Sequence, residues 1–256
     1  MPPASDLSRR RFGAIVGTTL GSIAVGGACR ALGWPSVDNS GRLAARPAPG
    51  TTTTAQGQQP LGLDSRRDGI LQVPADVNGP LPLLVLLHGA GNTGARMLQR
   101  IAPAVDAAKI AVLAPDSRGP TWDAIRGDFG EDVAFINRAL EHAFATVAVD
   151  PARLTLGGFS DGATYALSLG LINGDLFPRV VAFSPGFVVK GQAHGRPRFF
   201  ISHGTSDPIL PIDGASRTIV PALRSGGYDV TYREFDGKHE VPPAIATEAM
   251  GWVVEK

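Results

Sequence analysis

Beyond residue 60 the chain alternates short apolar runs with longer stretches that carry an apolar residue at every third or fourth position. Leu81 to Leu87 is a nearly continuous apolar run, the pattern of a strand covered on both faces. Arg67 to Val73, Ile110 to Ala114, Arg153 to Leu156, Arg179 to Phe183, Arg198 to Ser202 and Val230 to Phe235 are the other predicted strands. Thr93 to Lys109 reads as a helix, and so does Gly130 to Thr146, where Val133, Ile136, Leu140, Phe144 and Val147 share a face. Further helices are predicted near Ser160 to Asn173, Ala215 to Gly226 and Ala244 to Val253, and no internal repeat is present. This alternation predicts an α/β class fold, a mostly parallel central sheet with helices on both faces. Ligands of such sheets bind beyond the carboxyl ends of the strands. The polar residues just after each strand are therefore the first candidates for chemistry.

The first sixty residues break the pattern. Ser8-Arg9-Arg10-Arg11-Phe12 precedes Gly13 to Ala28, an uncharged run too short and too glycine-rich for a spanning helix, which needs about 20 strongly apolar residues. Residues 1–32 are thus expected to be an export signal, and the paired arginines before a phenylalanine resemble the twin-arginine type used by bacteria. Val25-Gly26-Gly27-Ala28-Cys29 resembles a lipoprotein cleavage box, departing from it at Gly26, where leucine is usual. Cys29 is therefore a candidate lipid attachment point and membrane tether, with a plain secreted form as the alternative. Residues 33–60 are rich in Pro, Gly, Ala, Thr and Gln, too poor in apolar surface to offset the entropy of ordering, and are expected to be a flexible tether. That leaves 61–256 as the expected folded domain.

Composition narrows the partners. With 24 basic and 23 acidic residues, the net charge of +1 gives no field that would favour nucleic acid. A small molecule is the expected partner. A single cysteine excludes an intramolecular disulfide, and no histidine or carboxylate cluster has metal-ligand spacing. Neither a metal nor another cofactor is expected.

Three predicted strand ends carry the chemistry. After Leu154 comes Gly158-Phe159-Ser160-Asp161-Gly162, a serine between glycines where a strand turns into a helix. A turn that tight leaves no room for side chains two positions either side of the serine, and it thrusts the hydroxyl above the sheet edge. Asp207 follows the strand near Phe199, and His239 follows the strand near Thr231. A serine hydroxyl needs an imidazole as general base, and the imidazole needs a carboxylate to hold its tautomer. The order Ser160, Asp207, His239 supplies all three. Asp236 is the rival acid, although it shares a loop with His239. Leu86-Leu87-His88-Gly89-Ala90-Gly91-Asn92, after the central strand, offers backbone amides for an oxyanion. Ala90 and Asp161 are the expected donors. Trp122, Phe159 and Leu210 are candidate pocket-lining residues, and the Asp161 carboxylate is a candidate for tuning which ester fits. Asp116 reads equally as pocket or as turn. His88 is expected to buttress the oxyanion loop and His203 a strand end, while His142 and His194 read as structural or solvated.

The stretches "LLHGAGN", "APDSRG", "VDPARLTLGGFSDGA", "HGTSDPILP" and "GKHEVPP" together resemble the α/β-hydrolase superfamily, and within it the phospholipase/carboxylesterase-like serine esterases and the neighbouring polyhydroxybutyrate-depolymerase-like esterases. The resemblance implies an α/β-hydrolase fold with Ser160 as nucleophile, Asp207 as acid and His239 as base. Asp161 and Ala163 depart from the glutamine and glycine usual in the carboxylesterases, so the resemblance implies the catalytic class and not the substrate. Only a short stretch separates the strands near Val180 and Phe199, leaving little or no room for a cap. The site is expected to be shallow and suited to short-chain or exposed esters. A serine peptidase or acyltransferase, and a non-catalytic surface lipoprotein scaffold, remain open as alternatives.

Overall fold

A computed structural model describes residues 41–255. The expected export signal, Cys29 and the first part of the expected tether lie outside the described residues. Eight strands form one sheet in the order β1-β2-β4-β3-β5-β6-β7-β8. They are β1 (Gly57–Pro60), β2 (Gly69–Val73), β3 (Leu81–Leu87), β4 (Ala111–Pro115), β5 (Val149–Phe159), β6 (Arg179–Phe183), β7 (Arg198–Gly204) and β8 (Val230–Phe235). The six strands β3 to β8 run parallel, while β2 is antiparallel to both β4 and β1. The helices are α1 (Gly94–Ala107), α2 (Glu131–Thr146), α3 (Asp161–Ile172), α4 (Ser216–Ser225) and α5 (Pro243–Val254).

Period-two alternation in β3 divides the core. Leu83, Val85 and Leu87 pack with Phe135, Ile136, Leu140 and Leu169 of α2 and α3, whereas Leu84 and Leu86 pack with Met97, Ile101, Ala249 and Met250 of α1 and α5. Every residue of β3, β4 and β6 is buried, which is why those strands read as continuous apolar runs. The helices cover both faces, as the sequence pattern predicts. No helix among the described residues is long and apolar enough to cross a membrane.

Two expectations change. Strand β1, with sequence GQQP, has no apolar signal because it is a half-exposed edge strand held by a single ladder, and its proline is tolerated there. The tether expected over 33–60 is corrected for 41–60, which lies against the domain. Leu43, Ala45 and Ala55 are buried. Asn137 Oδ1 accepts from the amides of Ala44 (2.8 Å) and Ala45 (2.9 Å), and Asn173 Oδ1 accepts from Leu43 N at 2.9 Å. Arg42 forms a two-pronged pair with Asp175 at 2.7 and 2.8 Å, and Arg46 adds a bond at 2.9 Å. The Arg42 hydrogen bond holds the Asp175 carboxyl well below the usual carboxylate range. Side-chain amides thus satisfy the strap's backbone, and a few well-spaced apolar residues suffice where average composition suggests none do.

Candidate active site

The strand-to-helix turn after β5 is built by steric demand. A Cβ at Gly158 would lie 2.3 Å from Gly162 O, and one at Gly162 would lie 2.4 Å from Leu87 O. Ser160, between them, takes φ 59°, a conformation that costs an L-residue on the order of 1–3 kcal/mol. The turn is pinned by Ser160 N donating to Phe183 O at 2.9 Å and by Thr164 N donating to Ser160 O at 3.0 Å. A Cβ at Gly89 would sit 3.2 Å from Ser160 Cβ, so that glycine lets the loop after β3 close on the serine.

The ends of β5, β7 and β8 bring three side chains into line. His239 Nε2 lies 2.8 Å from Ser160 Oγ, and His239 Nδ1 lies 2.6 Å from Asp207 Oδ2. The Asp207 side chain is fully buried. Its Oδ1 accepts from the amides of Ile209 (2.8 Å) and Leu210 (2.9 Å). Burial works against the charged form, yet the Leu210 and Ile209 amides and His239 together hold Asp207 below its ordinary value. Phe159 packs its ring 4.7 Å from that of His239 and is itself covered by Arg100 at 4.9 Å. Asp236 is exposed, and His239 turns to Asp207 instead.

His203 joins the same carboxylate, a contact the sequence did not reveal. Its Nε2–H donates to Leu210 O at 2.8 Å and stands 3.2 Å from Asp207 Oδ2, while Nδ1 accepts from Ser216 Oγ at 2.7 Å. The carbonyl partner fixes this tautomer, and burial pushes the ring's pKa down. The HGTSD spacing, with His203 four residues before the acid, is the signal that could have found it.

The loop after β3 is held from beneath. His88 is fully buried, with Nδ1 donating to Gly89 O at 2.8 Å and Nε2 accepting from Ser117 N at 3.0 Å. Ala90 is exposed, and its amide donates to no backbone acceptor among the described residues. The Asp161 amide is the first of α3, one of the donors a helix start leaves unpaired. The Asp161 carboxylate accepts from Thr121 Oγ1 at 2.6 Å. Asp116 accepts from Gly94 N at 2.7 Å, the turn role.

Trp122 is a correction. It is fully buried rather than pocket-lining, packed at a tilt between the rings of His88 (4.9 Å) and Tyr165 (5.2 Å), with its indole N–H donating to His88 O at 2.8 Å. An aromatic with one donor is well suited to propping a loop whose carbonyl would otherwise go unpaired. Leu210 is half-buried near Gly186, beside the acid. His142 and His194 lie away from these contacts, and no metal-holding cluster occurs among the described residues.

Beneath Trp122, Asp123 and Asp132 tie the β4–α2 loop together. Asp132 accepts from Arg118 N (2.6 Å) and Asp123 N (2.7 Å), and its own amide donates to Asp123 Oδ2 at 2.9 Å. Burial pushes Asp132 up to about 6. A raised acid contributes stability that is complete below its unfolded pKa of about 4 and is lost as pH rises through the folded value. Denaturant unfolding at pH 4 and pH 7 should therefore show the wild type losing on the order of 2–3 kcal/mol that Asp132→Asn does not lose. Parallel losses in the two proteins would refute the assignment.

A family model described as phospholipase/carboxylesterase matches residues 124–251. An esterase of Nocardia uniformis subsp. tsuyamanensis is 30% identical over 53% of this chain and 42% of its own length. A feruloyl esterase C of Emericella nidulans is 28% identical over 51% of this chain and 57% of its own. The chain thus spans about half the length of these curated relatives. The Bacillus cereus carboxylesterase superposes with a TM-score of 0.58 at 23% identity, over 74% of this chain and 94% of that one. A likeness at that identity establishes the α/β-hydrolase fold. The model's match reaches from the loop that ties down Trp122, through Ser160 and Asp207, to the helix beyond His239, and the chain belongs to the phospholipase/carboxylesterase family.

Proposed function

We propose that the protein is a serine carboxylic-ester hydrolase working through an acyl-enzyme. The observation that carries this reading is the unbroken line from Ser160 Oγ to His239 at 2.8 Å and from His239 to buried Asp207 at 2.6 Å. His239 Nε2 takes the Ser160 proton as Oγ attacks the ester carbonyl. The Ala90 and Asp161 amides receive the oxyanion. His239 then returns the proton to the departing alcohol, and a water deprotonated by the same ring hydrolyses the acyl-enzyme. Asp207 holds the ring's tautomer and steadies its positive charge.

Substrate access follows from the loops. Beyond the helices α1 to α5, the described connections add only two three-residue 3-10 turns, and none carries a further helix that could act as a cap. Short-chain esters and ester groups exposed on a larger body reach Ser160 directly, and the relatives' names as esterases support ester hydrolysis. The experiment is a panel of nitrophenyl esters and peptide amides, with Ser160→Ala as the blank. Ester turnover without amide turnover is expected. Amide hydrolysis at comparable kcat/KM would make it a peptidase, and turnover only with an added alcohol acceptor a transferase.

The proposal includes export through the Ser8 to Phe12 arginine signal, with lipid attachment at Cys29 as its second part. Replacing Arg9 and Arg10 by lysine should trap the protein inside the cell. Unchanged export would rule the signal out.

A further inference from the structure

A cavity of about 500 Å³ beside α2 is lined by Arg66, Arg67, Arg118 and Arg138, and by none of Ser160, Asp207 and His239. Three stretches distant in sequence supply these arginines. Arg66 and Arg67 precede β2, Arg118 follows β4, and Arg138 occupies an exposed position of α2. Because Gly69 at the start of β2 pairs with Pro115 at the end of β4, the first two stretches meet at the carboxyl edge of the parallel strands. Phe135, one turn before Arg138 on the same face of α2, closes the wall.

The inner two arginines are fixed in place. Arg67 donates through Nε to Ser117 O and through Nη2 to Asn92 O at 2.9 Å. Arg118 donates through Nη2 to Arg67 O and to Asp116 O at 2.8 Å, and its Nη1 pairs with Asp64 at 3.1 Å. The Arg118 guanidinium carbon lies 3.5 Å from the centre of the Phe135 ring, and that of Arg138 lies 5.4 Å from the same ring. Carbonyls and a phenyl ring position these charges without cancelling them. Against the four arginines the lining sets Asp64 and Glu131, an excess of two positive charges. Asp64 is already committed: Oδ1 accepts from the amides of Arg66 (2.8 Å) and Arg67 (3.4 Å), and Oδ2 takes Arg118. Asp116 and Asp132 also attract Arg118, but neither lines the cavity, and both accept from backbone amides. Among the described residues no carboxylate pairs with Arg66, Arg67 or Arg138.

Like charges gathered in a partly desolvated place repel one another, and a bound anion relieves that repulsion. We propose that this cavity binds a phosphate-type dianion, either free or carried as the monoester of a small organic body. The excess of two positive charges matches a phosphate group, which carries about −1.5 to −2 at neutral pH. Guanidinium forks pair with oxyanions two bonds at a time, and forks arriving from three separate segments suit a tetrahedral anion better than a planar carboxylate. Arg67 and Arg118 form the preset floor, and Arg66 and Arg138, both exposed, close over the anion. The cavity lies in the size range of small-molecule sites, which leaves room for an organic body beside the phosphate. The proposal stands apart from the ester-hydrolase reading, because binding is measured without turnover.

The test is calorimetric titration and thermal unfolding of the full chain with inorganic phosphate, glycerol 2-phosphate and succinate, each against sodium chloride at matched ionic strength and neutral pH. Phosphate should bind at one site and raise Tm by about 3–6 °C at ten times its dissociation constant. Arg66→Gln and Arg138→Gln should each weaken binding about tenfold, the loss of a charge-assisted contact. Both positions are exposed, so the unliganded Tm should not move, and either variant serves if the other does not fold. Tighter binding of glycerol 2-phosphate than of phosphate would support the site with a monoester as occupant, and the reverse order would support it with free phosphate. No heat or Tm shift beyond the chloride control would overturn the proposal. So would unchanged affinity in both variants, which would place the anion elsewhere. Succinate bound as tightly as phosphate would overturn the assignment to a tetrahedral anion.

Discussion

Ser160→Ala should lower kcat for a nitrophenyl ester by on the order of a millionfold, the loss seen when the nucleophile of a Ser-His-Asp system is removed. The rate falls this far because Oγ forms the bond to the acyl group, and no other group at the site is held as His239 holds Oγ, at 2.8 Å. Folding should hardly notice. The serine's backbone bonds to Phe183 and Thr164 survive, and alanine inherits the same φ of 59° without new clashes. Equilibrium unfolding is expected to shift by about 1 kcal/mol or less, the worth of one hydrogen bond. A small residual rate over water should persist, since the proposed oxyanion donors, the Ala90 and Asp161 amides, are untouched by the substitution. Activity within tenfold of wild type in a well-folded variant would contradict the assignment of Ser160.

Asp207→Asn should lower kcat by about ten-thousandfold and cost stability as well. Asp207 accepts three hydrogen bonds, two amides on Oδ1 and the ring of His239 on Oδ2, and His203 Nε2 stands 3.2 Å from the same Oδ2. An asparagine has a single acceptor oxygen. If that oxygen stays with the Ile209 and Leu210 amides, its NH2 group faces His239 Nδ1 and forces the tautomer that points a proton at Ser160. The same NH2 group then meets the Nε2–H of His203, donor against donor. A folding loss on the order of 1–3 kcal/mol is expected on top of the catalytic one, from a buried polar group without its partner. Urea unfolding and steady-state kinetics measure the two effects separately. A variant with the kinetic loss but wild-type stability would show that His203 does not share the carboxylate in solution.

Much of the site was legible because its parts are local. The glycines at 158 and 162 announce a turn that no larger residue fits, and Asp207 and His239 stand just past strands whose apolar runs are unmistakable. What the sequence misread depended on contacts between distant segments. Trp122 sits in a polar loop and reads as pocket-lining, but its indole N–H donates to the carbonyl of His88, 34 positions away, and the ring lies in the core. His203 reads as a strand-end filler until the loop from Asp207 to Leu210 folds back over it. Residues 41–60 look like a tether because their apolar content is low, yet Asn137, Asn173 and Asp175 supply partners from α2, from the end of α3 and from just beyond it. The helices and most of the strands were legible by periodicity, and their alternation implied a mostly parallel sheet, but the strand order was not read. β1 was not legible, since an edge strand needs no apolar face of its own.

Fluorophosphonate labelling followed by peptide mapping tests the central claim most directly. The account predicts one adduct per chain, on Ser160, absent from Ser160→Ala and suppressed by a competing nitrophenyl ester. Ser184 is the informative control: it too has a positive φ (51°), it follows β6 at the same sheet edge, and its buried hydroxyl has no hydrogen-bond partner among the described residues. No adduct at all, or an adduct on Ser184 or any other serine that persists in Ser160→Ala, would contradict it.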